Sequence, residues 1–328
     1  MKLHLNKALF RQAIQFTSDQ KKILPIYIEK DYWVTYVLHT LFNNEIGADA
    51  VFKGGTALSK CYKTIDRFSE DIDLVMLRRE GESNNKMTSK IRAISEVVNG
   101  VLPEVEIEGL TQKMGMNRKT AHAYNKEFKG SYGQVRDVIV VEATWLGYFE
   151  PYTTKQLNSF VGEMMLTNNQ AAIAEANGLM PFDVRVLEPV RTLCEKIMSL
   201  VRFSYGEDPI DDLKKKIRHT YDLHQLLRQQ EFLAYFQSNE FPKLLLKVAS
   251  DDVFSYKNSN EWLAYHPNEA LIFKDLDNVW NELKATYNND FKTLVYGILP
   301  LDDSVLEVLK MIRERLAGIE WNIKIPNK

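Results

Sequence analysis

The chain has 328 residues, 45% of them hydrophobic and 26% charged, and a formal net charge of −2. This is the composition of a soluble globular protein with a sizeable core and room for two ordinary domains. The charge balance gives no global signal for nucleic acid, so any such surface has to be a local patch.

Two cysteines, Cys61 and Cys194, lack metal-ligand spacing and sit among apolar neighbours. They read as reduced packing residues in a cytoplasmic protein. The first residues, MKLHLNKALFRQAIQF, contain no apolar h-region, so no secretory signal is expected there. No apolar run approaches the length of a membrane span.

In chain order, YIEKDYWVTYVLHTLFN (27–43) has helical periodicity through Trp33, Val37, Leu38 and Leu41. AVFK (50–53) reads as a short strand ended by Gly54-Gly55, and 56–65 as a helix with Ala57, Leu58, Cys61, Tyr62 and Ile65 on one side. DIDLVM (71–76) alternates as a strand, with Asp71, Asp73 and Val75 on one face. A helix over 86–100 and strands over 104–109 and 137–146 follow. Between those strands, the basic, glycine-containing stretch from Lys113 to Arg136 reads as a mobile loop or hairpin. Beyond about residue 186 the strand signal fades. Pro189 suits the first turn of a helix running to about Val201, and Asp208 to Leu227 reads as a second helix. Three or four more helices are expected, among them 269–289 and 302–317. A mixed α/β half followed by an all-helical half predicts an α+β protein of two domains, 1–185 and 186–328.

The chemistry concentrates in FKGGTALSKCYKTIDRFSEDIDLVM, residues 52–76. A glycine pair before a helix lets backbone N–H groups approach a phosphate, and the helix N-terminus favours the anion. Thr56 adds a hydroxyl there. Carboxylates at i and i+2 on one strand project side by side and suit Mg²⁺, which keeps several waters and takes phosphate oxygens as well. Two metals between such carboxylates can clamp the attacking and leaving oxygens at phosphorus. Either motif alone is weak. The competing reading is a plain tight turn and a solvated strand face, but it leaves unexplained why two like charges stand together without a cation.

The segment GGTALSKCY…RFSEDIDL resembles the signature of the AbiEii/AbiGii toxin family, within the DNA polymerase β-like nucleotidyltransferase superfamily. The family includes the MenT tRNA-modifying toxins. YIEKDYWVTYVL (27–38) resembles the family's N-terminal helix, VRVLEPVRTLCEKIMSL (184–200) its lysine motif and RHTYDLHQLL (218–227) its last motif. The resemblance implies a small mixed-sheet nucleotidyltransferase core followed by a helical domain that completes the nucleotide and acceptor cleft. It implies that Gly54, Gly55, Thr56 and Ser69 contact the triphosphate, and that Asp71 and Asp73 hold Mg²⁺, with Mn²⁺ the alternative ion. Lys196 would reach the nucleotide phosphates, and Asp222 matches the acid of the last motif. Superfamily members often carry a third carboxylate on a later strand. Here the candidate is Glu142, which would join the metal or activate the acceptor, the alternative being an edge strand with Glu142 facing water.

Other positions leave alternatives open. Lys196 lies beside Thr192 and Ser199 at the edge of a buried face, where pattern alone reads as a surface lysine. Asp222 has Arg218 and His219 one turn earlier, which reads equally as a surface ion pair. Arg67 is a second phosphate contact or a solvated loop residue, and His219 and His224 are packing or capping groups. Lys113, Arg118, Lys119, Lys126, Lys129 and Arg136, with Lys214, Lys215 and Lys216, form either a local RNA surface or scattered solvated charges. Tyr124, Phe128 and Tyr132 are the aromatic residues there for base stacking.

The activity implied is transfer of a nucleoside monophosphate from a nucleoside triphosphate to a hydroxyl, with pyrophosphate release. The acceptor implied is a tRNA 3′ end, and a cognate antitoxin encoded nearby is the implied partner. The alternatives are nucleotidylation of a protein or small molecule, and a non-catalytic nucleotide-binding protein. The last requires degraded metal ligands, whereas Asp71 and Asp73 are intact.

Overall fold

The protein is described from a computed structural model covering residues 1–130 and 135–326. Its strands are β1 (Ala50–Lys53), β2 (Ile72–Met76), β3 (Glu104–Val105), β4 (Gln112–Lys113), β5 (Asn117–His122), β6 (Ile139–Thr144), β7 (Tyr152–Leu157) and β8 (Phe182–Leu187). They form one mixed sheet in the order β3-β5-β6-β2-β1-β8-β7, with β4 paired to β5. β1 runs antiparallel to β2 and parallel to β8, and β2 runs parallel to β6. The central strands are apolar and buried, through Val51, Phe52, Ile72, Leu74, Val140 and Val141. An α+β fold with a small mixed sheet is therefore present as expected.

The sheet is flanked within the same unit by α1 (Lys7–Lys21), α2 (Pro25–Phe42), α3 (Gly54–Ala57), α4 (Asn84–Asn99), α5 (Phe160–Thr167) and α6 (Ala171–Ala176). Local signals set their starts. Pro25 opens α2, the Ser83 hydroxyl accepts from Lys86 N, and the Ser159 hydroxyl accepts from Gly162 N. The first part of the basic stretch forms a hairpin, β4–β5, and β5 is paired along its length with β6. β6 thus lies inside the sheet, which excludes the edge-strand reading of Glu142.

The chain divides into two compact units. The first comprises residues 1–63, 68–145 and 152–187, and the second comprises 64–67, 146–151 and 188–328. The sequence reading of one cut near 185 did not foresee the two short segments that join the later unit. The helices of that unit are α7 (Pro189–Phe203), α8 (Pro209–Lys215), α9 (Ile217–Leu227), α10 (Gln230–Gln237), α11 (Glu240–Ser255), α12 (Leu271–Lys274), α13 (Leu276–Asn288) and α14 (Asp302–Ala317). The single helix expected over 208–227 is two, because Lys216 leaves the helical region (φ −106°, ψ 11°). No glycine or proline marks this break in KKKIRH. No helix among the described residues is long and apolar enough to cross a membrane.

Candidate active site

The glycine turn and the aspartates meet in the first unit. Gly54 has φ +81°, and a Cβ on it would collide with Asp73 Oδ2. Only glycine brings the main chain this close to that carboxylate. α3 starts at Gly54, two residues before the expected start, and continues as one π-turn, Leu58–Tyr62, ending at Lys63 in the left-handed region (φ 54°). Ile65 therefore lies beyond the helix. Lys53, at the N-cap of α3, makes no side-chain capping bond, and the start of a helix suits an anion. The Thr56 hydroxyl donates to the Asp71 carbonyl at 2.6 Å and lies 2.9 Å from Ser69 Oγ. The hydroxyls of Thr56 and Ser69 thus tie the helix start to the strand that carries the acids.

Asp71 falls one residue before β2, and Asp73 lies within it. Asp73 is opposite Lys53 across the antiparallel β1 pair and opposite Glu142 across the parallel β6 pair. Burial, then the charges of Asp71 and Glu142, push the Asp73 carboxyl up to about 7. Each of the other two acids turns to a cation. Asp71 Oδ1 and Oδ2 accept from Arg136 Nη1 at 3.2 and 3.5 Å. Glu142 accepts from Lys119 at 3.1 Å and from Asn117 Nδ2 at 3.1 Å. Burial works to raise the Glu142 carboxyl, but these partners outweigh it and hold it below its usual value. So placed, the three acids do not converge: no cluster of three His, Cys, Asp or Glu side chains poised for a metal exists among the described residues. The donor set is of the right chemistry for a divalent ion: Asp73 and Glu142 are half-buried carboxyl oxygen donors in register on neighbouring strands.

The support beneath this site was not read from sequence. In α2 the consecutive residues Glu29, Lys30 and Asp31 are all buried. Glu29 accepts the Glu127 and Phe128 N–H groups at 2.7 and 3.1 Å. Lys30 pairs with Glu70 and donates to the Arg136 and Val138 carbonyls. Asp31 pairs with Lys60 and accepts the Phe160 N–H at 2.8 Å. Burial pushes the Lys30 ammonium down and the Glu70 carboxyl up, each opposed by the partner's charge. The signal was available: three charges in a row inside a helix that is otherwise apolar around its whole circumference.

Lys196 and Asp222 belong to the second unit, where they meet Arg67. Asp222 accepts from Arg67 Nε and Nη2, each at 2.7 Å, and from Lys196 Nζ at 2.7 Å. All three are buried, Asp222 completely. This corrects three sequence readings. Lys196 is not a surface lysine, Asp222 is not the acid of a surface ion pair, and Arg67 is not a solvated loop residue. Burial works to raise the Asp222 carboxyl, but the two cations keep it below the usual carboxylate range. Burial, then the charges of Lys196, Lys216, Arg218 and Arg67, hold His219 neutral, with Nδ1 buried and unpaired among the described residues. His224 Nε2 lies 2.9 Å from Ser304 Oγ, in keeping with a packing role.

The basic stretch is largely neutralised within its own unit. Lys113 pairs with Glu104 at 2.6 Å, Lys126 with Asp137 at 2.7 Å, and Arg118 donates to Ser95 at 2.7 Å. Lys214 and Lys215 pair with Asp211 and Asp212, and the Lys216 ammonium lies 4.5 Å from the Phe203 ring centre. Tyr124 is buried beside Trp33, Phe128 lies under Arg11, and Tyr132 falls outside the described residues. Cys61 and Cys194 are unbridged. Burial pushes the Cys61 thiol up to about 12, which fits a packing residue.

A glycine turn, a strand with paired acids and a mixed sheet of this order define a nucleotidyltransferase core. The sequence matches the family described as nucleotidyl transferase AbiEii toxin, type IV toxin–antitoxin system, over residues 37–308. The chain belongs to the AbiEii nucleotidyltransferase toxin family. Among solved structures it is similar to MenT4, a nucleotidyltransferase toxin from Mycobacterium tuberculosis H37Rv. The TM-score is 0.56 at 16% identity, covering 94% of this chain and 90% of that one. At that identity the likeness speaks for the fold. No curated protein matches the sequence.

Proposed function

We propose that this enzyme transfers a nucleoside monophosphate from a nucleoside triphosphate to an acceptor hydroxyl with Mg²⁺, Mn²⁺ being the alternative ion. The observation that carries this is the contact between Gly54 and Asp73, which sets a helix start directly against a paired-acid strand. The first-turn N–H groups from Gly54 and Gly55, with Thr56 and Ser69, bind triphosphate oxygens. Asp71 and Asp73 hold the metal and Glu142 is the candidate third ligand. The bound ion supplies charge neutralisation at the reacting phosphorus and the leaving pyrophosphate. Glu142 orients or deprotonates the acceptor hydroxyl. Lys196, which the family resemblance assigns to the nucleotide phosphates, is ion-paired with Asp222, which Arg67 also holds.

The acceptor proposed is a tRNA 3′ end, the outcome growth arrest, and the partner a cognate antitoxin, as the family resemblance implies. A second reading, a protein or small-molecule acceptor, is favoured by the basic hairpin, whose lysines are turned to acids rather than to an open face. One experiment separates them. The protein is incubated with each α-labelled triphosphate, Mg²⁺ and total tRNA, beside Asp71→Ala. Label on tRNA in the wild type, reduced about 10³-fold or more in the variant, supports the first reading. Label on protein supports the second. Nucleotide binding without transfer to any acceptor sinks both.

A further inference from the structure

Each acid of the candidate site is answered by a basic side chain of the same unit. Lys53 stands opposite Asp73, Lys119 holds Glu142, and Arg136 holds Asp71. Lys53 and Lys119 stand opposite these acids on neighbouring strands, as the sheet register requires. Arg136 does not. It lies before β6, outside any strand, and its main chain is gripped from both sides. Its N–H donates to both Glu70 oxygens at 3.0 and 3.1 Å, and its carbonyl accepts from Lys30. Lys30 is fully buried, donates also to the Val138 carbonyl at 2.8 Å, and is ion-paired with Glu70. A buried pair thus fixes the backbone at Arg136, and one member of it, Glu70, is the residue immediately before Asp71. The Arg136 side chain itself is 40% exposed and spans from this anchor to the Asp71 carboxylate.

We propose that Arg136 is a stand-in cation: it occupies Asp71 until a divalent ion arrives, and that ion must displace it, releasing the guanidinium to an incoming polyphosphate. The inference rests on the metal role given to Asp71 under the proposed function. One Arg136 nitrogen lies within reach of both Asp71 oxygens, so an ion taking either oxygen meets a positive charge already in place. Once displaced, a planar guanidinium is well matched to phosphate oxygens. Its anchored backbone keeps it beside the site while its exposed side chain swings. Metal and triphosphate therefore bind better together than either does alone, a reciprocal coupling between two ligands.

The test is Mn²⁺ binding to the full-length protein, read by the electron paramagnetic resonance of free Mn²⁺, with and without inorganic tripolyphosphate. Arg136→Met is expected to bind Mn²⁺ about tenfold tighter than the wild type without tripolyphosphate. Tripolyphosphate should then raise Mn²⁺ affinity in the wild type by a larger factor than in the variant. A residue that merely braced the loop would weaken Mn²⁺ binding or leave it alone. Arg136→Gln, which retains an amide donor, serves if the methionine variant fails to fold and carries the same expectation. Equal or weaker Mn²⁺ binding in the folded variant overturns the stand-in role while leaving the metal site intact. Asp71→Asn binding Mn²⁺ as well as the wild type overturns the metal site itself, and the stand-in role with it.

Discussion

In the first unit, Asp73 and Glu142 lie half-buried on adjoining strands and Asp71 just before the first of them, each beside its own basic side chain. In the second, a single fully buried carboxylate, Asp222, is shared by Arg67 and Lys196. The first arrangement keeps its acids apart and exposed enough to exchange partners. The second gathers two cations on one carboxylate and so carries one surplus positive charge. Solvent explains the difference. An accessible acid can trade one cation for another at small cost, whereas a carboxylate out of water is stable only while its partners stay.

The largest expected effect breaks the second cluster. Asp222→Ala leaves two buried cations facing each other and should cost about 3–5 kcal/mol in chemical denaturation. A loss below about 1 kcal/mol would show that water reaches the cluster, and the contrast drawn above would fail. Next is Gly54→Ala, which places a side chain at φ +81° against Asp73. It should cost about 1–3 kcal/mol and weaken triphosphate binding measured by calorimetry. Unchanged binding would show that the close approach of Gly54 serves only the turn. The smallest effect is on pH. Burial depresses His224 to about 4, so the fold holds it neutral while the unfolded chain protonates near 6.5. Stability from this group is full above about pH 6.5 and is lost as pH falls toward 4. The melting temperature should therefore drop by a few degrees between pH 7 and pH 5, and less in His224→Gln. An equal drop in that variant would place the sensitivity elsewhere.

The first cluster was legible in sequence because its chemistry is local. Gly54 and Asp73 are nineteen positions apart, in an order that reads as strand, turn, helix and strand. Glu142 was legible as an acid in an apolar strand, but its register opposite Asp73 was not. The second cluster was only half legible. Lys196 and Asp222 could be named through family resemblance, but their meeting could not, because residues 67, 196 and 222 come together only through folding. Reading Asp222 against Arg218 followed helix spacing, and tertiary pairing overrode it. The α2 charges were visible as an oddity, yet their partners, main-chain groups together with Glu70 and Lys60, lie in distant segments, on which local patterning is silent.

The segment Thr64–Arg67 has a practical consequence for anyone dividing the gene. It belongs to the later unit although it lies among the residues of the earlier one. A fragment that begins at Glu188 would look complete by helix count, yet it would lack the guanidinium that grips Asp222 by two bonds. Such a fragment should be poorly soluble when expressed alone, and supplying residues 64–67 on a permuted N-terminus should restore it. The two units are therefore interleaved in the coding order, and severing the polypeptide once, near the end of the sheet, yields neither of them whole.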